Sequence, residues 1–223
     1  MIKVATFWSG GKDSCLACYK AMQQGHDVAF LINLLQEDGK RTLSHLLDRR
    51  LIDMQSFLTG IPLMQRNVTR ENQEAEYASV IEEARREGVR GCVFGDIAQR
   101  AHRDWLESVC HIAGVEAIFP LWEADRQEII REFIAAGFEA VVVAVKGRIM
   151  GQDWLGRNLN EQFVSDVVEL QKTVNLDLCG EWDEYHTLVT AGPLFKQRIK
   201  VTLAQPVLRD EYWYADILGY EIV

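Results

Sequence analysis

No apolar run in this chain is long enough to cross a bilayer. The longest, at 140–145, falls far short of the roughly 20 residues that a spanning helix needs. The first residues lead straight into a strand-like segment rather than a basic stretch, an apolar stretch and a small-residue cleavage site, so no secretory leader is read. Positive charge is in short supply too. The 24 Lys and Arg stand against 33 Asp and Glu, a net −9 that repels phosphate backbones and argues against nucleic acid as a partner. Cysteines are few and odd in number, namely Cys15, Cys18, Cys92, Cys110 and Cys179. The expectation is a reduced, cytoplasmic protein without disulfides or membrane attachment. Internal repeats and low-complexity tracts are also missing. What is present, 48% hydrophobic and 26% charged residues over 223 positions, describes a globular chain with a substantial core.

Short runs of Val, Ile, Phe and Leu alternate with longer segments of helical period, the pattern of a parallel sheet wrapped by helices. Strands are expected over 2–8, 27–34, 62–68, 89–94, 116–119 and 140–145, and helices over 14–24, 45–58, 71–86, 101–113 and 126–136. Gly25, Gly60, Gly88, Gly114 and Gly137 each fall where a helix must stop and turn into the next strand. Beyond residue 147 the pattern changes: 146–157 is rich in Gly and charge, 158–174 reads as helix, and 199–203 and 212–217 alternate as antiparallel strands. The fold expected is α/β. A Rossmann-like, doubly wound parallel sheet occupies 1–147, and a smaller α+β domain, taken as the acceptor domain, occupies 148–223.

The first strand opens into Ser9-Gly10-Gly11-Lys12-Asp13-Ser14 and then a helix. Main-chain N–H groups and the positive end of the helix dipole converge there, which suits a phosphate. Gly10 and Gly11 let the backbone approach the anion, Lys12 adds charge, and Ser9 and Ser14 add hydroxyl donors. Asp13 can hold Mg²⁺ or position Lys12. The common nucleoside-triphosphate loop is excluded, because Thr6 stands where its first glycine belongs and Asp13 follows the lysine. The bland alternative is an ordinary capped strand-to-helix turn. At the end of the fourth strand lie Gly95 and Asp96. With strand order 3-2-1-4-5 they fall beside residues 9–14, where Gly95 leaves room for a nucleotide and Asp96 can coordinate Mg²⁺ or substrate.

The hexapeptide resembles the PP-loop of the adenine-nucleotide α-hydrolase superfamily. Nearly the whole chain resembles its diphthine–ammonia ligase family, through Phe94-Gly95-Asp96-Ile97, Pro120-Leu121-Trp122, Trp154-Leu155-Gly156-Arg157, Cys179-Gly180-Glu181, Glu184-Tyr185-His186-Thr187 and Gly192-Pro193-Leu194-Phe195. The resemblance implies an enzyme that uses ATP and Mg²⁺ to adenylate a carboxylate, releases pyrophosphate, and lets free ammonia displace AMP to leave an amide. The carboxylate would belong to a modified histidine of translation elongation factor 2. The family's second-domain signature, Glu-Gly-Gly-Glu-x-Glu-Thr, reads here Glu181-Trp182-Asp183-Glu184-Tyr185-His186-Thr187. That departure resembles a subgroup acting on a small, corrinoid-pathway acid. A tRNA-modifying PP-loop enzyme, a non-catalytic ATP sensor and assembly into a homo-oligomer stay open.

Lys12, Asp13, Glu184 and His186 are the candidate catalytic residues, and Arg157, Glu181, Glu184 and Thr187 the candidate substrate contacts. His186 near Glu184 can act as a general base or be a strand histidine with a satisfied hydrogen bond. Arg157 can bind a carboxylate bidentately or belong to a solvated basic loop. Trp122 can stack on a base or pack. Cys15 and Cys18, three apart on one helix face, read as core rather than as metal or sulfur chemistry.

Overall fold

The computed structural model describes residues 1–69 and 71–223. The chain divides into two compact units, Met1–Glu123 and Ala124–Val223.

In the first unit five parallel strands, β1 (Lys3–Phe7), β2 (Asp27–Leu35), β3 (Leu63–Asn67), β4 (Gly91–Val93) and β5 (Glu116–Ile118), form one sheet in the order β3-β2-β1-β4-β5. That is the expected order, with β1 and β4 adjacent. Helices α1 (Lys12–Gln23), α2 (Arg49–Thr59), α3 (Gln73–Arg86) and α4 (Arg100–Ala113) connect the strands. One core pocket is filled by Ala5 and Ile32 of the sheet against Val80, Ile81, Leu106 and Val109 of α3 and α4. Each helix stops where its sequence stops it. Gly60 closes α2 at φ 73 and Gly114 closes α4 at φ 71, a left-handed conformation that only glycine adopts without strain. Gly25, Gly88 and Gly137 also hold positive φ at their helix ends.

The second unit is built on an antiparallel sheet in the order β7-β6-β9-β8, with β6 (Glu139–Lys146), β7 (Tyr185–Ala191), β8 (Ile199–Arg209) and β9 (Tyr212–Ile222). Helices α5 (Arg126–Ala135) and α6 (Glu161–Leu170) and a short 3₁₀ turn (Gln152–Trp154) accompany it. Here the structure corrects two expectations. The strand at 140–145 does not extend the parallel sheet; it pairs antiparallel with β7 and β9. The division accordingly falls between Glu123 and Ala124 rather than near 147. A continuous apolar run reads alike in a parallel sheet and in the centre of an antiparallel one, so only its long-range partners decide. Strands β8 and β9 also run further than expected. Pro206 lies within β8, an edge strand of the sheet, where its missing N–H breaks no inner ladder.

Candidate functional site

The turn from β1 into α1 is held rigid from beneath. Trp8, fully buried at the end of β1, donates through Nε1 to Gln55 Oε1 at 2.8 Å, and Gln55 Nε2 donates to the Gly10 carbonyl at 3.1 Å. Asn33 Nδ2 donates to the Trp8 carbonyl at 2.9 Å. Gly10 sits at φ +83, and a Cβ there would lie 2.6 Å from Ile52 Cδ1 and 2.7 Å from Gln55 Oε1. The backbone can take this shape against α2 only with glycine. Neither Gln55 nor Asn33 was a candidate from the sequence. The available signal was a polar residue on the apolar stripe of α2, with Leu51, Ile52 and Leu58 buried around Gln55.

Above that floor, Gly11 is the N-cap of α1 and, having no side chain, makes no side-chain cap to the helix. Ser9 and Ser14 hydroxyls meet at 3.1 Å, Gly11 N donates to Ser9 Oγ at 3.3 Å, and Ser14 Oγ donates to the Gly11 carbonyl at 3.1 Å. Lys12 is only 5% exposed, and its Nζ donates to Asp13 Oδ2 at 2.9 Å. A buried ammonium with one carboxylate beside it, at a helix N-terminus, is an arrangement that an incoming anion completes.

Gly95 does fall beside the loop. The room it leaves, however, is taken by the chain itself: a Cβ on Gly95 would meet Asp13 C and Ser14 N at 2.9 Å. Glycine at 95 lets the turn after β4 close against the start of α1 and so brings Asp96 to the flank of the loop. Asp96 is 15% exposed, and its Oδ1 is hydrogen-bonded to His102 Nδ1 on the first turn of α4. His102 went unread in the sequence. Its ring stacks on Trp105 at 5.6 Å, and Trp105 stands edge-on to Tyr77 at 4.8 Å. Tyr77 stacks at 5.0 Å on Phe7, the last residue of β1. Burial, with Asp96 nearby, pushes the Tyr77 hydroxyl well above its usual range.

The two carboxylates expected to hold Mg²⁺ each have a partner within the chain. Asp13 faces Lys12 and Asp96 faces His102, and among the described residues no group of three or more His, Cys, Asp or Glu could hold an ion. Magnesium keeps several waters and binds through one or two carboxylates together with substrate phosphates, a donor set to which Asp13 and Asp96 are chemically suited.

In the second unit the expected acceptor residues cluster at the entry to β7. Glu184 is 3% exposed, and both of its oxygens are occupied: Oε1 accepts from Asp177 N at 2.8 Å and Oε2 from Trp182 N at 2.9 Å. It pins the loop that Asp177 begins. Asp177 Oδ1 accepts from Cys179 N at 2.8 Å, while its Oδ2 pairs with Arg126 Nε at 2.9 Å. His186 Nε2 lies 3.8 Å from Asp183 Oδ1, and Asp183 itself sits at φ 63. His186 pairs with Ala144 across the ladder, and Ala144 pairs with Tyr214 on the other side, so the three share a row. Thr187 is buried at 1% exposure. Arg157 is drawn elsewhere: it forms an ion pair with Asp166 and stacks over Trp154 at 4.2 Å. A cleft of about 410 Å³ opens in this unit, floored by Val141, Val143 and Val201 with Asn158 and Lys200 among its walls. Arg157, Glu181, Glu184, His186 and Thr187 do not line it.

All five cysteines are buried and free. Burial pushes Cys18 up to about 11, and Cys15 is raised in the same way, as expected of core thiols.

Residues 2–117 match the family profile of the diphthamide synthase N-terminal domain, and residues 125–222 match that of its C-terminal domain. The chain belongs to the diphthamide synthase family. The boundary between the two matches coincides with the structural division at 123 and 124. Diphthine–ammonia ligases of Rattus norvegicus and Homo sapiens are 26% and 27% identical to it, in both cases over 97% of this chain and 89% of theirs. The Schizosaccharomyces pombe ligase is 28% identical over 90% of this chain and 36% of its own. Among solved structures, one titled as a predicted subunit of tRNA methyltransferase from Methanocaldococcus jannaschii aligns over 86% of this chain and 98% of its own, at 14% identity and a TM-score of 0.47. As a diphthamide synthase family member the chain is an ATP-dependent ligase. Among the described residues no helix is long and apolar enough to cross a membrane.

Proposed function

We propose that this chain is an AMP-forming amide ligase of the diphthine–ammonia type. It would adenylate the carboxylate of a diphthine-bearing protein and pass the acyl group to free ammonia. The observation that supports this best is the anion loop: a rigid, glycine-built turn, an uncapped helix N-terminus and a buried Lys12 at the carboxyl edge of a parallel sheet. In this reading Ser9, Gly10, Gly11, Lys12 and Ser14 cradle the outer phosphates of ATP. Lys12 draws off charge as pyrophosphate departs, and Asp13 holds the ammonium in place. Attack of a carboxylate oxygen on the α-phosphorus forms the acyl adenylate. Ammonia then forms the C–N bond, the C–O bond to AMP breaks with its electron pair on AMP, and the nitrogen sheds one proton to solvent.

The acceptor side is assigned to the second unit. Glu184 shapes the loop at 177–183, which contains Glu181; Thr187 follows on β7, and in this reading His186 beside Asp183 exchanges a proton. Arg157, already paired with Asp166, serves to fix the segment at 154–157. Trp182 and His186 depart from the family signature, which favours a small acid as the second reading of the substrate.

The test is incubation with α-labelled ATP, Mg²⁺ and ammonium chloride, with diphthine-bearing elongation factor 2 in one arm and small carboxylic acids in another. AMP and pyrophosphate released only with the protein acceptor support the reading. Release only with a small acid transfers the chemistry to that substrate. ADP, or no product in either arm, overturns it.

A further inference from the structure

Asp96 is a carboxylate on the flank of an anion loop. It is set there by construction: β4 neighbours β1, and Gly95 is pressed against the main chain of Asp13 and Ser14. One oxygen, Oδ1, is bound to His102 Nδ1. The other, Oδ2, has no hydrogen-bond partner among the described residues. Taking the ligase reading as its base, the reaction brings ATP with its Mg²⁺, the substrate carboxylate and ammonia to this edge of the sheet. ATP and the substrate carboxylate are anions, which Asp96 repels. Ammonia alone offers N–H donors without negative charge.

We propose that Asp96 Oδ2 accepts an N–H of the incoming ammonia and orients its lone pair, and that His102 is the positioning residue that holds Asp96 in that attitude. The bond from Nδ1 fixes both the histidine tautomer and the carboxylate rotamer, as a second partner does for a ligating side chain. Stacking on Trp105 fixes the ring in turn. No proton need move at His102 for this role.

The test separates the two halves of the reaction. ATP–pyrophosphate exchange, run with diphthine-bearing elongation factor 2 and no ammonium, reports adenylation. Titration of amide formation with ammonium chloride reports the second half. His102→Phe keeps a ring against Trp105 but removes the donor; His102→Asn keeps a donor near the Nδ1 position. The expected result is that His102→Phe raises the KM for ammonium by about tenfold, the loss of one charge-assisted hydrogen bond, and leaves exchange and the KM for ATP within about twofold. His102→Asn brings the ammonium KM back toward the parent value, and both variants keep the parent thermal midpoint. An unchanged ammonium KM in His102→Phe overturns the assignment, as does equal loss of exchange, which would place Asp96 with the nucleotide. Absence of exchange from the unaltered chain defeats the ligase reading itself and this assignment with it.

Discussion

Lys12 and Glu184 show how burial separates two charged side chains of similar standing in the sequence. Lys12 is buried, pairs with Asp13 and stands at the start of α1, where the proposed reading gives its charge to the phosphates. Lys12→Ala is expected to reduce AMP release by at least about a hundredfold, as removal of a transition-state charge donor does, with little change in the melting temperature. Glu184 has both oxygens on main-chain N–H groups within its own unit. Its removal strands two buried donors, so Glu184→Ala is expected to cost about 2–3 kcal/mol of stability in urea unfolding. Glu184→Gln keeps the size but turns an NH₂ toward one of those donors. It should therefore fail to restore stability, whereas a catalytic carboxylate would show its loss in rate alone.

At the level of elements, the turn after β1 and the turn after β4 are one device, locked by glycines whose missing side chains are filled by side chains of α2 at Gly10 and by the main chain of α1 at Gly95. Gly95→Ala places a methyl 2.9 Å from Asp13 C and Ser14 N, main-chain atoms that cannot swing aside. The expected outcome is a rise in the KM for ATP of about tenfold or more, because the start of α1 must move away from the position at which the proposed reading has it bind phosphate. Gly10→Ala meets Ile52 and Gln55 and also strains φ +83, so stability and ATP affinity should fall together. Helix α5 offers a control. Asp125 caps it by accepting from Gln127 N and Glu128 N, and Asp125→Ala should cost about 1 kcal/mol of stability without altering the KM for ATP.

The whole molecule is acidic, at net −9, and keeps its five thiols inside. Two outcomes follow. Transfer RNA should show no retention on the protein at physiological salt, which a tRNA-modifying enzyme with a basic groove would contradict. Iodoacetamide at pH 8 should leave the native thiols unmodified and label all five once the chain is unfolded, since burial holds Cys15 and Cys18 above their ordinary pKa and the thiolate is the reacting form. Much of this protein was decided locally and is therefore readable along the chain. Helix-ending glycines, apolar runs of strand length and the Ser9 to Ser14 turn act within a few residues of themselves, so they mark the strands of the first sheet and the loop after β1. Three features are matters of pairing between distant segments, which no local pattern records. Strand β6 could have joined either sheet, and only β7 and β9 as partners place it in the second. The histidine partner of Asp96 was not legible, because only the fold of α4 brings His102 to it. Glu184 could have faced a substrate, and only the loop from Asp177 wraps both of its oxygens. A side chain's chemistry is written in its type, but the partner that commits that chemistry is chosen by tertiary packing.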